Sequence, residues 1–109
     1  MSAVEEWGVP LVSENPKIFA LDFDDSYTAD RDLWRHFISN ALTRGHTVLC
    51  VTARYDTPEN REDLADMYRM KIPVYYTGHA AKIWYMKEIW GISPDIWIDD
   101  QPRVVVHGV

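Results

Sequence analysis

Two groups of aspartates, each directly after a short apolar segment, are the residues of this sequence best suited to chemistry. They are Asp22, Asp24 and Asp25 in the first group, and Asp99 and Asp100 in the second. Thr52 and Arg54 follow a third apolar segment. If these segments are neighbouring parallel strands, the side chains after them converge at one sheet edge. Carboxylates crowded there repel one another unless a cation neutralises them. Oxygen ligands without a nearby Cys or His cluster favour Mg²⁺ over Zn²⁺.

The elements that must position these residues are predicted to alternate as β-α-β-α-β-α-β-β. Apolar runs predict strands at 17–21, 47–51, 73–76, 95–98 and 103–107. Helical spacing and end signals predict helices at 31–44, 58–70 and 79–90. Asp30 and Thr57 are suitable N-caps for the first two helices, and Gly91 is a suitable end for the third.

Strands that alternate with helices of this length predict an α/β fold with a mostly parallel sheet between two helical layers. Right-handed crossovers favour a doubly wound, Rossmann-like sheet of order 3-2-1-4-5. Its ligand site lies where the order reverses, at the carboxyl end of the first strand. We expect one domain over 17–109, preceded by an irregular leader at 1–16.

Composition excludes several classes of function. The chain has 109 residues and a formal net charge of -6, which disfavours non-specific nucleic-acid binding. No apolar stretch approaches the ~20 residues of a membrane helix, and the acidic start lacks the features of a signal peptide. We therefore expect a cytoplasmic protein without a membrane partner. The single cysteine, Cys50, lies in an apolar run and is expected to be a buried, inert thiol.

Four segments in order resemble the motifs of the haloacid dehalogenase superfamily of phosphatases and phosphotransferases. They are 19–27 (FALDFDDSY), 51–54 (VTAR), Lys82 and 97–100 (WIDD). The likeness covers Lys17 to about Pro102, and the end of the fourth segment is also similar to small phage-encoded members. Two positions depart from the usual pattern: Ser26 stands for Thr or Val, and Asp25 stands where Gly is common.

The resemblance implies a role for each motif residue. Asp22 would attack phosphorus and form an aspartyl-phosphate. Asp24 would act as general acid and then as general base, with its backbone carbonyl on the metal. Thr52 would bind a phosphoryl oxygen, and Lys82 would neutralise charge on the nucleophile and substrate. The implied Mg²⁺ ligands are Asp22, Asp24, Asp99 and Asp100.

Two nearby residues have alternative assignments from sequence. Arg54 is expected to bind the substrate, with a salt bridge to Asp56 or Glu59 as the alternative. His79, just before the third predicted helix, is expected to cap it or face solvent rather than touch substrate. The Trp and Tyr residues of the first and third helices are expected to pack.

The gaps after the first motif and before Lys82 are too short for a cap domain, so we expect an open site unless another subunit covers it. The expected function is a Mg²⁺-dependent phosphomonoester hydrolase acting on a nucleotide or a nucleic-acid terminal phosphate. Alternatives are phosphoryl transfer to an acceptor other than water and a catalytically silent binding or regulatory protein of the same fold. A receiver domain is disfavoured because the third predicted strand does not end in Asp.

Overall fold

Four apolar segments pair as one parallel sheet in the computed structural model, which describes residues 12–109. The strands are β1 (Ile18–Leu21), β2 (Thr47–Thr52), β3 (Val74–Tyr76) and β4 (Ile96–Ile98), in the order β3-β2-β1-β4. In the register, Leu21 is opposite Cys50 on one side and Ile98 on the other. The carboxyl ends of β1 and β4 are therefore level, and the residues that follow them start from neighbouring positions.

Five α-helices connect or follow these strands within the described part of the chain. They are α1 (Arg31–Thr43), α2 (Pro58–Asp63), α3 (Ala65–Arg69), α4 (Lys82–Trp90) and α5 (Pro102–His107). As predicted, Asp30 caps α1 by accepting from the Leu33 amide at 3.1 Å, and Thr57 caps α2. Gly91 ends α4 with a left-handed φ of 66°. None of the helices in residues 12–109 is long and apolar enough to cross a membrane.

Alternating side chains of the central strands supply two apolar clusters. Leu21 and Cys50 belong to a cluster that includes residues of α1 and α3. Ala20 and Leu49 belong to a second cluster, which includes Met86 of α4. Successive residues of a strand face opposite sides, so helices cover both faces of the sheet. Cys50 is buried as predicted, and burial raises the pKa of its thiol.

The predicted fifth strand is wrong, because residues 103–107 lie in helix α5. Its valines have high strand propensity, but such propensity depends on the available partners. Pro102 occupies the first turn, where its missing N–H and fixed φ are well tolerated. Val105 is buried, and α5 contacts α4 instead of extending the sheet edge.

Helix boundaries also differ from the prediction. The segment 58–70 divides into α2 and α3 at Leu64. The segment 79–90 becomes helical only at Lys82, because Gly78 and His79 form a turn with positive φ. Of the predicted leader, residues 1–11 lie outside the described residues, and 12–16 contain no helix or strand.

The prediction that helix aromatics pack is correct only in part. Trp34 of α1 and Tyr85 of α4 pack against the two apolar clusters. Trp84 and Trp90 of α4 are each more than half exposed, although the Trp90 ring also makes an edge contact with Tyr75. Helical spacing therefore did not distinguish the buried side of α4 from its exposed side.

Candidate functional site

Asp22 lies at the carboxyl end of the central strand, where its side chain is buried. Its backbone amide continues the sheet by donating to the Ile98 carbonyl at 2.9 Å. Oδ1 accepts from Lys82 Nζ at 2.8 Å, and Oδ2 accepts from Ser26 Oγ at 3.0 Å. Both carboxylate oxygens are thus satisfied, which is what burial of this group requires.

Lys82 is the first residue of α4 and is only 1% exposed. Its Nζ donates to Asp22 at 2.8 Å and to Asp99 at 2.6 Å. A buried ammonium is tolerated only with such partners. Through its ion pairs with Asp22 and Asp99, Lys82 therefore links the carboxyl ends of β1 and β4.

Asp99 and Asp100 follow β4 and are held differently. Asp99 Oδ1 accepts from the Gln101 amide at 2.9 Å, so this carboxylate has a partner on each oxygen. The Asp100 amide donates to Ser26 Oγ at 3.0 Å, and Ser26 Oγ lies 3.3 Å from Asp100 Oδ1. Ser26 thereby contacts both aspartate groups that the sequence singled out.

One carboxylate oxygen from each of Asp22, Asp99 and Asp100 lies within 4.8 Å of the others. All three donors are hard oxygen atoms, which suits Mg²⁺ better than a softer metal. The residues therefore fit the predicted cation. Asp24, the fourth predicted ligand, does not join this trio with its side chain.

The electrostatic state of Asp22 reflects two opposing effects. Burial raises the pKa of Asp22 to about 6, and the nearby Asp99 carboxylate acts in the same direction. The charge and hydrogen bond of Lys82 lower the pKa and offset part of this effect. With this pKa the carboxylate is mostly ionised at neutral pH.

Asp24 instead forms a bidentate pair with Arg54. Arg54 Nε and an adjacent terminal nitrogen donate to its two carboxylate oxygens at 2.9 and 2.8 Å. The other terminal nitrogen of Arg54 donates to Asp63 at 2.7 Å and to Asn60 at 2.9 Å. These hydrogen bonds to Asp24 hold the pKa of its carboxyl below its ordinary value.

The predicted alternative partners of Arg54 were therefore wrong. Asp56 pairs with Arg61 at 2.6 Å instead. The two carboxylates that do pair with Arg54 are Asp24 and Asp63, and Asp63 is one turn further along α2 than Glu59. Sequence spacing alone gives no reason to choose among these carboxylates.

Thr52 is fully buried at the end of β2, and its hydroxyl oxygen accepts from the Arg54 amide at 3.3 Å. The structure places it at the correct sheet edge. It does not, however, line the pocket that Asp22 lines, and neither does Arg54. Ala53, which lies between these two residues in the sequence, does line the pocket.

A pocket of about 110 Å³ brings most predicted site residues together: Asp22, Asp24, Lys82, Asp99 and Asp100. Typical pockets for whole small molecules measure about 300–1,000 Å³. This volume matches a small group such as a phosphoryl, and the rest of a larger substrate would lie outside it.

Sequence reasoning gave no role to Ser26 beyond its position in a motif. Its spacing of four residues from Asp22, in a turn, was the available signal, because such a turn can fold the hydroxyl back onto the carboxylate. Asp25 lines the pocket and has a φ of 61°, so an aspartate occupies a left-handed position that glycine adopts more easily.

No family model matches this chain, nor does any curated protein or solved structure.

Proposed function

We propose that this chain is a Mg²⁺-dependent phosphomonoester hydrolase of the haloacid dehalogenase type, with a doubly wound fold and no cap. One observation carries the proposal. A buried, lysine-paired carboxylate, Asp22, lies beside two further carboxylates in a pocket of phosphoryl size at the carboxyl edge of a parallel sheet.

In the proposed reaction, a carboxylate oxygen of Asp22 forms a bond to phosphorus as the bond from phosphorus to the ester oxygen breaks. The leaving oxygen takes a proton from Asp24 and departs as an alcohol. Asp24 then takes a proton from a water molecule, whose oxygen attacks phosphorus. The aspartyl-phosphate is cleaved, inorganic phosphate leaves, and both aspartates return to their starting state.

Charge is the main obstacle to this attack, because an anionic nucleophile approaches an anionic phosphate. Lys82 lies 2.8 Å from Asp22 and cannot move into solvent without leaving two buried carboxylates unpaired. Asp22, Asp99 and Asp100 would hold Mg²⁺, which when bound neutralises charge on the phosphoryl oxygens.

The Asp24–Arg54 pair sets a condition on the acid step. Both Asp24 oxygens accept from Arg54, so the carboxylate has no proton to give in this arrangement. A substrate phosphate that draws Arg54 away would stabilise the charged substrate and would free Asp24 to take up, from solvent, the proton that it gives to the leaving oxygen. Arg54 would thus bind the substrate, as the sequence led us to expect.

The same pair supports a second candidate function. If Arg54 stays on Asp24 when a ligand binds, the site recognises a phosphate group without turning it over. The protein would then be a catalytically silent binding or regulatory protein of the same fold.

Phosphate release separates these functions. We would assay nucleotides, sugar phosphates, and 5′- and 3′-phosphorylated oligonucleotides, with Mg²⁺ or with EDTA. The variants are wild type, Asp22→Asn and the control Asp32→Asn, whose carboxylate is 86% exposed on α1. The proposal expects Mg²⁺-dependent release that Asp22→Asn abolishes and Asp32→Asn retains.

Two results would count against hydrolysis. Release that persists in Asp22→Asn rules out this nucleophile. Phosphate-ester binding without release, in the presence of alcohol acceptors as well as water, favours the silent binding protein. Transfer of the phosphoryl group to an added acceptor would identify a phosphotransferase.

A further inference from the structure

An exposed aromatic pair, Tyr55 and His79, lies next to residues that line the pocket, does not itself line it, and has no role in the site described so far. Tyr55 is 58% exposed, and its ring centre is 5.0 Å from that of His79, which is also exposed. The two rings are inclined by 36°. Neither side chain belongs to the apolar clusters on the two sheet faces.

Backbone hydrogen bonds attach this pair to the pocket wall. The His79 amide donates to the carbonyl of Ala53 at 3.0 Å, and the His79 carbonyl accepts from Val109 at 3.0 Å. Ala53 and Val109 both line the pocket that contains Asp22. His79 is therefore bracketed by two pocket-lining residues, and Tyr55 lies against it.

The local backbone is shaped to hold the two rings together. Gly78 and His79 have positive φ values of 58° and 74°. A Cβ at Gly78 would lie 3.0 Å from the Tyr55 ring, so a larger residue there would push the ring away from the turn. A non-glycine residue in the left-handed region is unfavourable and persists only where its surroundings determine it.

We propose that Tyr55 and His79 form a stacking surface for an aromatic ring in the leaving group of the substrate. The inference rests on the proposed function, because it concerns the part of a phosphate ester that the small pocket cannot hold. When the phosphoryl group lies beside Asp22, the alcohol portion of the substrate must extend out of the pocket past its rim. Exposed aromatic faces there bind planar rings and tolerate variation in their identity.

Under the proposed function the aromatic group is a nucleobase, which in a nucleotide is separated from the phosphate ester by one sugar. It can come from a free nucleotide or from the terminal nucleotide of a strand. Only the terminal residue would touch this surface in either case. The net charge of -6 gives no support for contacts along a long phosphate backbone.

The test compares AMP with ribose 5-phosphate, which has the same ester but no base. Stacking of a base on an aromatic side chain corresponds to about a fivefold to hundredfold preference. Tyr55→Leu should reduce the ratio of kcat/KM for AMP over ribose 5-phosphate by about fivefold or more, mainly through KM. Tyr55→Phe should retain the preference, and activity on ribose 5-phosphate should change little.

His79→Gly is a second variant in which folding is not at risk. Glycine adopts the observed φ without strain, so removal of the ring should leave thermal stability unchanged or higher. The aromatic preference should fall as it does in Tyr55→Leu. Tyr68→Leu is the matched control, because Tyr68 is 42% exposed on α3 and does not line the pocket.

Binding of AMP and ribose 5-phosphate to Asp22→Asn, followed by NMR or calorimetry, keeps this inference separate from the proposed function. A Tyr55-dependent preference for AMP supports the stacking surface even if no variant hydrolyses anything. Equal affinity for both ligands, or a preference that Tyr55→Leu and His79→Gly leave intact, overturns it. In the hydrolysis assay, a 5′-phosphorylated oligonucleotide that outperforms AMP identifies a strand end as the source of the base, and the reverse identifies a free nucleotide.

Discussion

Replacement of the proposed nucleophile by asparagine should make the metal-free protein more stable. Asp22 is only 8% exposed, and its ionised form is disfavoured by burial and by Asp99 despite the contact with Lys82. Asparagine resembles the protonated acid in shape and carries no charge. The variant therefore keeps the packing of the site while removing the cost of holding a second charge next to Asp99.

The size of this effect follows from the pKa of Asp22, which rises from 3.8 to about 6 on folding. Each pKa unit corresponds to 1.36 kcal/mol, so the ionised group costs about 3 kcal/mol of folding free energy. The folded protein binds this proton more tightly than the unfolded chain does. The cost is therefore fully present above pH 6, shrinks as the pH falls below 6, and vanishes below about pH 4.

The assay is urea unfolding in EDTA at several pH values between 4 and 8, with wild type, Asp22→Asn and Asp32→Asn. At pH 7.5 Asp22→Asn should exceed wild type by up to about 3 kcal/mol, or on the order of 10 °C in Tm. The difference should disappear near pH 4, whereas the exposed control should stay within about 0.5 kcal/mol throughout. Destabilisation of Asp22→Asn at pH 7.5, or a difference that does not vary with pH, would refute the reasoning.

Three further changes test other contacts of the site. Lys82→Met should destabilise the protein by about 3–5 kcal/mol in urea unfolding, because two buried carboxylates lose their shared cation; stability equal to wild type would contradict the buried pairing. Arg54→Gln should move the pKa of Asp24 upward, as followed by carboxyl NMR titration, since Arg54 is the main cause of its low value; an unchanged titration would mean that the pair is absent in solution. Gly78→Ala should cost about 1–2 kcal/mol from its left-handed φ and displace Tyr55; a neutral substitution, checked by thermal unfolding, would show that the turn has another conformation.

The sequence predicted those elements whose local signals agree with their tertiary surroundings. The four strands carry apolar residues on both faces of the sheet, and α1 has a capping aspartate, so pattern and packing lead to the same assignment. The strand predicted at 103–107 was wrong because a run of valines indicates apolar side chains but does not indicate which element they pack against. With Pro102 at the start and α4 alongside, the same valines pack as a helix.

The site was predictable to the extent that it depends on strand ends. Parallel strands place Asp22 and Asp99 at one edge, the start of α4 brings Lys82 to the same edge, and the observed contacts of 2.8 and 2.6 Å agree with that expectation. Contacts that depend on side-chain direction could not be predicted. Arg54 pairs with Asp24 and Asp63, and Ser26 lies between two carboxylates. Both arrangements depend on side-chain rotamers, which sequence spacing does not specify.

The two motif aspartates have pKa values that are shifted in directions opposite to their proposed roles. Asp22, the proposed nucleophile, has a raised pKa, and Asp24, the proposed general acid, has a lowered one. If these pKa values did not change when ligands bind, Asp22 would be the better proton donor and Asp24 the more readily ionised carboxylate. That is the reverse of their proposed roles. A cation beside Asp22, Asp99 and Asp100 would favour the ionised nucleophile, and a phosphate that attracts Arg54 would let the pKa of Asp24 rise. The charges needed for the reaction would therefore be set by the arrival of cation and substrate together, which makes Arg54 the residue that links binding to the acid step.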